Sequence, residues 1–464
     1  MSKEEFIPTR DWYVPPRNAK TPLETPLDPA DVAVPTRRYT DPDYLQNEFD
    51  LLWTRTWQLA CRESQVSNPG DYLVYDIGKR SYLIVRGTDG QVRAFYNSCR
   101  HRGTRLCNGR GNTGKSMKCP YHMWSYGLDG SLQAVTDRET FCPIEDADYG
   151  LSEVAVGTCA GFIFLHPDRT PAESLTEFLG DVPALLEPYR FEEAVTTLDV
   201  TMPCSANWKV LVEAFVEMYH VQTVHPHLLA TLDDVNTYFE NLGRHSWMIV
   251  PTAVTSERLG GTVSEIDRLE GVISIMADGV GVRSRENRSA GEETAAALRQ
   301  MFTNEAGELE LPEGSSVRDV FVEMAQNALK EKGFDLSGLS AAQFLDDHQF
   351  HVFPNVIMNC YAGLNMFLRF RPHATDPGQC LIDLMLIELI KDPDEIKSRT
   401  AVHQEYAEGE ISLGEVIDQD TDFLPEVQAG LAGGDLENVT LSKQEIRIVN
   451  FHKALDGYIP DRNA

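Results

Sequence analysis

Basic charge, long apolar runs and a dinucleotide-binding loop are what this chain lacks. Its 464 residues carry 41 Lys and Arg against 71 Asp and Glu, a formal net charge of −30. Nucleic acid and anionic membrane are held by basic patches, so neither is expected as a partner. The acidity favours encounter with a basic partner, although an acidic surface is more often simply a soluble one. No apolar run approaches the ~20 residues that a membrane span requires. The longest, Leu381–Ile390, is interrupted by Asp383 and Glu388 and reads as a sheet strand. The opening residues, MSKEEFIPTRDWYVPPR, hold no apolar core of a signal peptide, and a cytoplasmic location is expected. Nine cysteines in such a chain read as thiols or metal ligands rather than disulfides. The glycines of the one G-x-G-x-x-G match, Gly109, Gly111 and Gly114, are read as those of a hairpin turn rather than a strand-to-helix loop, and no flavin segment appears, so any electrons from NAD(P)H must arrive through a separate protein.

The length suffices for two or more domains. Residues 1–40, rich in Pro and charge, read as an extended arm lying on the body or on a neighbouring subunit. A helix is expected over Asp41–Trp57, with Asp41 as cap, Pro42 at its first position and Tyr44, Phe49, Leu52 and Trp53 inward. From Val66 the pattern is that of strands: DYLVYDIG, SYLIVRG and QVRAFYN, with TCAGFIFLHPD as the last. The expected divisions are an arm and helix (1–57), a small all-β domain (58–166) and a larger domain (167–464). Residues 255–345 are Gly-, Glu- and Ser-rich and read as a lid-like insertion with mobile loops at SRENRSAGEE and TNEAGELELPEGSS around one helix, Val317–Lys332. HVFPNVIMNCYAG, LNMFLRFRP and CLIDLMLIEL read as strands of one antiparallel sheet. Helices are expected over Pro393–Glu408 and, with a Ser442–Glu445 capping box, over Leu441–Ile459. The fold class is α+β, with no internal repeat.

Two stretches carry chemistry. Asn207–His227 reads as one helix running into a metal site. Glu213, Glu217 and His220 recur on one face, while Val210, Leu211, Phe215 and Met218 cover the others. A buried carboxylate is costly unless paired or metal-bound. Pro226 disfavours the α conformation at His225, so the helix should loosen there and let both imidazoles turn to one point. Two His and a carboxylate from elsewhere would form the triad that holds non-haem Fe(II). Ordinary core histidines are the alternative. The second stretch holds Cys99-Arg100-His101-Arg102-Gly103 and Cys119-Pro120-Tyr121-His122-Met123-Trp124. One Cys and one His from each of two loops are the ligands of a Rieske [2Fe–2S] cluster, whose imidazoles raise its potential to about −150 to +300 mV. A zinc site would use the same residue types, but zinc fingers keep the Cys pair and the His pair apart.

C-x-H-R-G…C-P-Y-H-x-W followed by N-W-K…E-x3-E-x-Y-H-x4-H-P resembles the catalytic α subunit of the Rieske non-haem iron oxygenases. That resemblance implies Cys99, His101, Cys119 and His122 on the cluster, and His220, His225 and a downstream carboxylate on the iron. The segment Val416–Leu431 is similar to the family's D-x7-Q-x-G-L, which selects Asp420 ahead of its neighbours Asp418 and Asp422. Thr104 and Tyr121 stand where respiratory Rieske proteins carry a further cysteine pair, and Cys107 is read as a buried thiol rather than a ligand. By the same resemblance the chains form a homotrimer, alone or with a small β subunit. Glu217 is implied as the catalytic bridging residue, linking His220 to His122 of a neighbouring copy; Glu at this place is seen in carnitine- and choline-type relatives. Electrons would come from NAD(P)H through a ferredoxin, a flavin reductase or both, and O2 would be the cosubstrate. The expected reaction is hydroxylation of a small organic, foremost aromatic, substrate, with monooxygenation or demethylation of an ether or amine as the alternative. An electron-transfer-only Rieske protein and a zinc-stabilised binding protein are the contrasting readings.

Overall fold

The computed structural model describes residues 19–261, 263–285, 290–336 and 338–460. The arm's residues 1–18 and part of SRENRSAGEE lie outside them. Two compact units are formed among the described residues, one mainly of 43–183 and one of 19–42, 184–372 and 376–457. Helices and sheets in which nearly every pairing is antiparallel make it an α+β protein. Among the described residues no helix is long and apolar enough to cross a membrane.

The 43–183 unit is built on a seven-stranded sheet in the order Gln58–Arg62, Phe162–His166, Glu153–Cys159, Val92–Tyr96, Arg80–Arg86, Asp71–Ile77 and Arg110–Asn112. A separate three-stranded sheet, Ser116–Lys118, Ser125–Gly127 and Leu132–Ala134, carries the second Cys–His loop. Leu83, Val85, Phe95, Met117, Trp124 and Tyr126 pack into one core with Cys99 and Cys119. TCAGFIFLHPD is not one strand. It is the end of one strand, the turn and the second strand of a hairpin, reversing at Ala160-Gly161, where both residues take positive φ. The helix over Asp41–Trp57 is also shorter than expected: it runs from Pro42 to Asn47 and widens into a π-turn over Glu48–Leu52. Tyr44, Phe49, Leu52 and Trp53 are nonetheless buried.

The other unit is organised by an eight-stranded sheet. Its order is Tyr238–Leu242, His245–Val250, Asp347–Val352, Val356–Tyr361, Leu364–Pro372, Cys380–Leu389, Ala194–Cys204 and Gln404–Glu405. HVFPNVIMNCYAG is a hairpin rather than a strand, turned by a cis peptide at Phe353–Pro354. The expected helix Pro393–Glu408 ends at Arg399, because the chain returns to pair Gln404–Glu405 with the sheet. Register places Gln349, Asn359, Met366 and Leu368 on one face. Phe370, two residues on from Leu368 and so on that same face, meets Phe215 of the helix Trp208–Phe215 at 5.5 Å between ring centroids. The closing helix, Ile446–Asp456, sends fully buried Arg447 to Gln349 Oε1 at 2.8 Å and Ser246 Oγ at 3.0 Å. The arm joins this unit through Ala33–Pro35, paired with Asn438–Thr440.

The segment 255–345 is more regular than its composition suggests. Besides Val317–Glu331, it forms helices over Glu265–Asp278, Ala290–Met301 and Ala341–Leu345. Leu269, Val272, Ile273, Phe302, Val317 and Phe321 give it a core of its own. Sparse apolar residues at helical spacing suffice once three helices share them. Gly271 lets the first of these helices approach closely, since a Cβ there would lie 2.4 Å from Thr231 Cγ2.

Candidate metal centres

The stretch Asn207–His227 is not one helix. The Asn207 side chain caps Trp208–Phe215 by accepting from Lys209 N, and the helix stops at Val216, before Glu217. The cause is Glu217 itself. Its carboxylate folds back to accept the backbone N–H groups of Tyr219 and His220, offering the backbone an alternative to the helical ladder. A short second helix, Val221–Val224, follows and ends at His225, whose φ of −123° and ψ of 49° meet the restriction imposed by Pro226. The three groups therefore do not share a helical face. The break is what turns His220 and His225 towards each other, with ring centroids 5.2 Å apart.

Asp420 enters from the long helix Glu415–Ala432. Its Oδ1 lies 3.0 Å from His225 Nε2 and 3.6 Å from His220 Nε2. The three ligand-type atoms fall within 4.8 Å of one another. Asp418 instead accepts from Leu413 N at 2.9 Å, and exposed Asp422 pairs with Arg285 at 2.8 Å. Glu217 Oε1 stands 2.5 Å from His220 Nδ1. Burial works against protonation of His220, but the Glu217 carboxylate and then Asp420 outweigh it and raise its pKa. Glu213 accepts from Tyr39 Oη at 2.8 Å and lies 2.8 Å from His452 Nε2. Beside these histidines in the chain, Val221, Leu228 and Leu229 form a small apolar cluster, with half-buried Met218, Leu232, Ile275 and Val416 packed against it. Ile275 comes from the 255–345 segment.

Several residues of this site carried no signal in the sequence. Gln419 lies 2.6 Å from His225 Nδ1 across a separation of 194 residues. Asp278 accepts from Glu415 N at 2.7 Å and so caps the Asp420 helix from outside it. Arg447 donates to the carbonyl of Val216, the residue that ends the first helix, at 3.4 Å. Each was invisible because its partner is distant in the chain.

In the 43–183 unit the two Cys–His loops are built alike. Gly103 N donates to Cys99 O at 2.9 Å and Met123 N to Cys119 O at 3.1 Å, each donor residue having positive φ (77° and 58°). Glycine takes that conformation freely; a methionine holds it at a cost of ~1–2 kcal/mol. The rings of His101 and His122 are 4.6 Å apart, and Trp124 stacks on His101 at 5.0 Å. Tyr126 Oη contacts Cys99 Sγ at 3.3 Å and accepts from Arg100 N at 3.0 Å. Burial, and then neighbouring His122 and Arg102, lower the His101 pKa. Burial pushes the Cys107 thiol up to about 11.

The donor sets suit the groups the motifs imply. Cys99 and Cys119 are buried, and His101 Nδ1 is buried without a hydrogen-bond partner. A buried ring nitrogen left bare is costly unless something binds it. At the other centre, two imidazole Nε2 atoms and one carboxylate face a common point, which is the ligand set of non-haem iron. A unit with paired Cys–His loops and a unit with a His–His–carboxylate cluster beside a large sheet together define a Rieske-type protein with two iron centres.

The chain belongs to the ring hydroxylating alpha subunit family: the profile of that family's catalytic domain matches residues 191–461. The Rieske [2Fe-2S] domain profile matches residues 56–146. Its cofactors are accordingly a Rieske cluster and a mononuclear iron. It is 32% identical over 260 residues to the glycine betaine monooxygenase oxygenase subunit of Pseudomonas aeruginosa, covering 53% of this chain and 60% of that one. It is 30% identical over 200 residues to the anthranilate 1,2-dioxygenase large subunit of Acinetobacter baylyi, covering 42% of each. The chain thus spans about 60% or less of these relatives. The fold is similar to that of a quaternary ammonium Rieske monooxygenase linked to carnitine oxidation by gut microbiota. The TM-score is 0.62 at 17% identity, over 93% of this chain and 96% of the other.

Proposed function

We propose that the chain is the terminal oxygenase of a multicomponent system, with His220, His225 and Asp420 holding the iron and Cys99, His101, Cys119 and His122 the cluster. The convergence of His220 Nε2, His225 Nε2 and Asp420 Oδ1 within 4.8 Å carries this reading. When bound, the iron supplies a site for O2 activation and the cluster supplies single electrons. The chain's own residues do the rest. Glu217 holds the His220 Nδ1 proton, fixes that ring's orientation and, in an assembly of copies, joins it to His122 of a neighbour. Met218, Leu232, Ile275 and Val416 exclude water from the metal's surroundings. Electrons originate in NAD(P)H and arrive through a ferredoxin or flavin reductase.

The substrate class favoured is an N-methylated quaternary ammonium compound rather than an aromatic ring. The support is the similarity to a glycine betaine monooxygenase subunit, together with Glu at position 217 and an acidic chain suited to a cation. The balanced reaction inserts one oxygen atom into a methyl C–H bond and reduces the other to water, at the expense of one NAD(P)H and a proton. The hydroxymethyl product then releases formaldehyde, a tertiary amine and a proton.

The test is oxygen uptake with a surrogate reductase, isotopically labelled O2, and a panel of glycine betaine, carnitine, choline and anthranilate. One labelled atom in formaldehyde is expected. Two labelled atoms in an aromatic diol would replace this reading with ring dihydroxylation, and a protein without mononuclear iron would remove both.

A further inference from the structure

His225 is held at both ring nitrogens. Nε2 faces Asp420 Oδ1 at 3.0 Å, and Nδ1 faces Gln419 Oε1 at 2.6 Å. An amide can turn either end to a ring, so this contact alone does not say which nitrogen bears the proton. A second contact removes the ambiguity. Gln419 Nε2 stands 3.2 Å from Glu415 Oε1, and an ionised carboxylate only accepts. The NH2 group must therefore point to Glu415 and the carbonyl to His225. Facing an acceptor, His225 Nδ1 carries the proton; with a metal held between Nε2 and Asp420, as proposed above, the Nε2 lone pair would then be free to bind it. Glu415 is itself fixed by the bond from its N–H to Asp278 Oδ2.

We propose that Gln419 is the positioning residue of His225, with Glu415 setting the sense of its amide. The proposal rests on the reading that His220, His225 and Asp420 hold the iron. It makes the two imidazoles unequal: His220 is backed by a carboxylate at 2.5 Å, His225 by a neutral amide. An imidazole whose N–H faces a carboxylate is the more basic ligand.

The experiment measures ferrous iron affinity of the full-length protein by chelator competition, with the Rieske absorbance and thermal midpoint as controls in each variant. Gln419→Leu, which neither accepts nor donates, is expected to weaken binding about 10–100-fold while cluster absorbance stays unchanged. Gln419→Glu, which keeps the acceptor, should restore affinity to near that of the parent. Glu415→Gln, which frees the amide to turn, should give an intermediate loss, and it serves if Gln419→Leu does not fold. Parental affinity in both Gln419→Leu and Glu415→Gln, or equal losses in Gln419→Leu and Gln419→Glu, would overturn the proposal. His220→Ala separates it from the reading beneath it. If His220→Ala keeps its mononuclear iron, the ligand assignment fails. If it loses iron while Gln419→Leu binds normally, only the positioning role fails.

Discussion

Replacing Glu217 by Gln changes one atom type and tests both functions assigned to that side chain. The two carboxylate oxygens divide the work: Oε1 faces His220 Nδ1 at 2.5 Å, and Oε2 accepts from the backbone N–H groups of Tyr219 and His220. Gln has one acceptor end. If its carbonyl faces the imidazole, its NH2 confronts two backbone donors; if it turns, the NH2 confronts Nδ1–H. Either way a buried donor loses its acceptor, at a cost of about 1–3 kcal/mol. The charge that raises the His220 pKa is also lost. The variant should retain the cluster and, at saturating Fe(II), the iron. Its coupled product formation should fall about 10–100-fold, the range seen when a ligand's outer partner is removed. Product per NAD(P)H consumed, read beside iron content and cluster absorbance, is the assay. Parental turnover with parental coupling would refute the bridge.

Three further outcomes are expected. Asp420→Ala should lose mononuclear iron by metal analysis, whereas Asp418→Asn and Asp422→Asn should keep it, because the first bonds Leu413 N and the second pairs with Arg285; iron loss in Asp422→Asn alone would reverse the assignment. Gly271→Val should destabilise the protein by about 1–3 kcal/mol in urea unfolding, the usual cost of overpacking, since its Cβ would meet Thr231 Cγ2 at 2.4 Å; an unchanged midpoint would mean that the helix is free to withdraw. Burial lowers His348 and His351 from 6.5 to about 3. Their contribution to stability is therefore present above pH 6.5 and lost as pH falls towards 3. Between these values unfolding should let the two imidazoles take up as many as two protons from solvent, roughly 2.7 kcal/mol per pH unit. His348→Leu should halve that slope, and an identical slope would assign the acid sensitivity elsewhere.

The sequence alone determined the chemistry of the two centres. Cys99, His101, Cys119 and His122 are legible because each loop is local: a Cys, a His two or three residues on, and a residue with positive φ closing the turn onto the Cys carbonyl. His220 and His225 are legible for the same reason, as is the end of helix that Pro226 imposes on His225. Strands of alternating pattern and the Ser442–Glu445 cap were likewise written locally.

Only the tertiary structure decided the rest. The helix break at Val216 arises from a carboxylate competing for backbone donors, which the apolar periodicity of Asn207–His227 conceals. The resemblance of Val416–Leu431 already selected Asp420, but why Asp418 bonds Leu413 N and Asp422 pairs with Arg285 instead depends on which side of the helix Glu415–Ala432 meets the imidazoles, and that is set by packing. Gln419, Asp278 and Arg447 act on partners far away in the chain, so no window of sequence could reveal them. Spacing along the chain fixes which atoms are available; which of them converge depends on contacts that form only when distant segments bury one another.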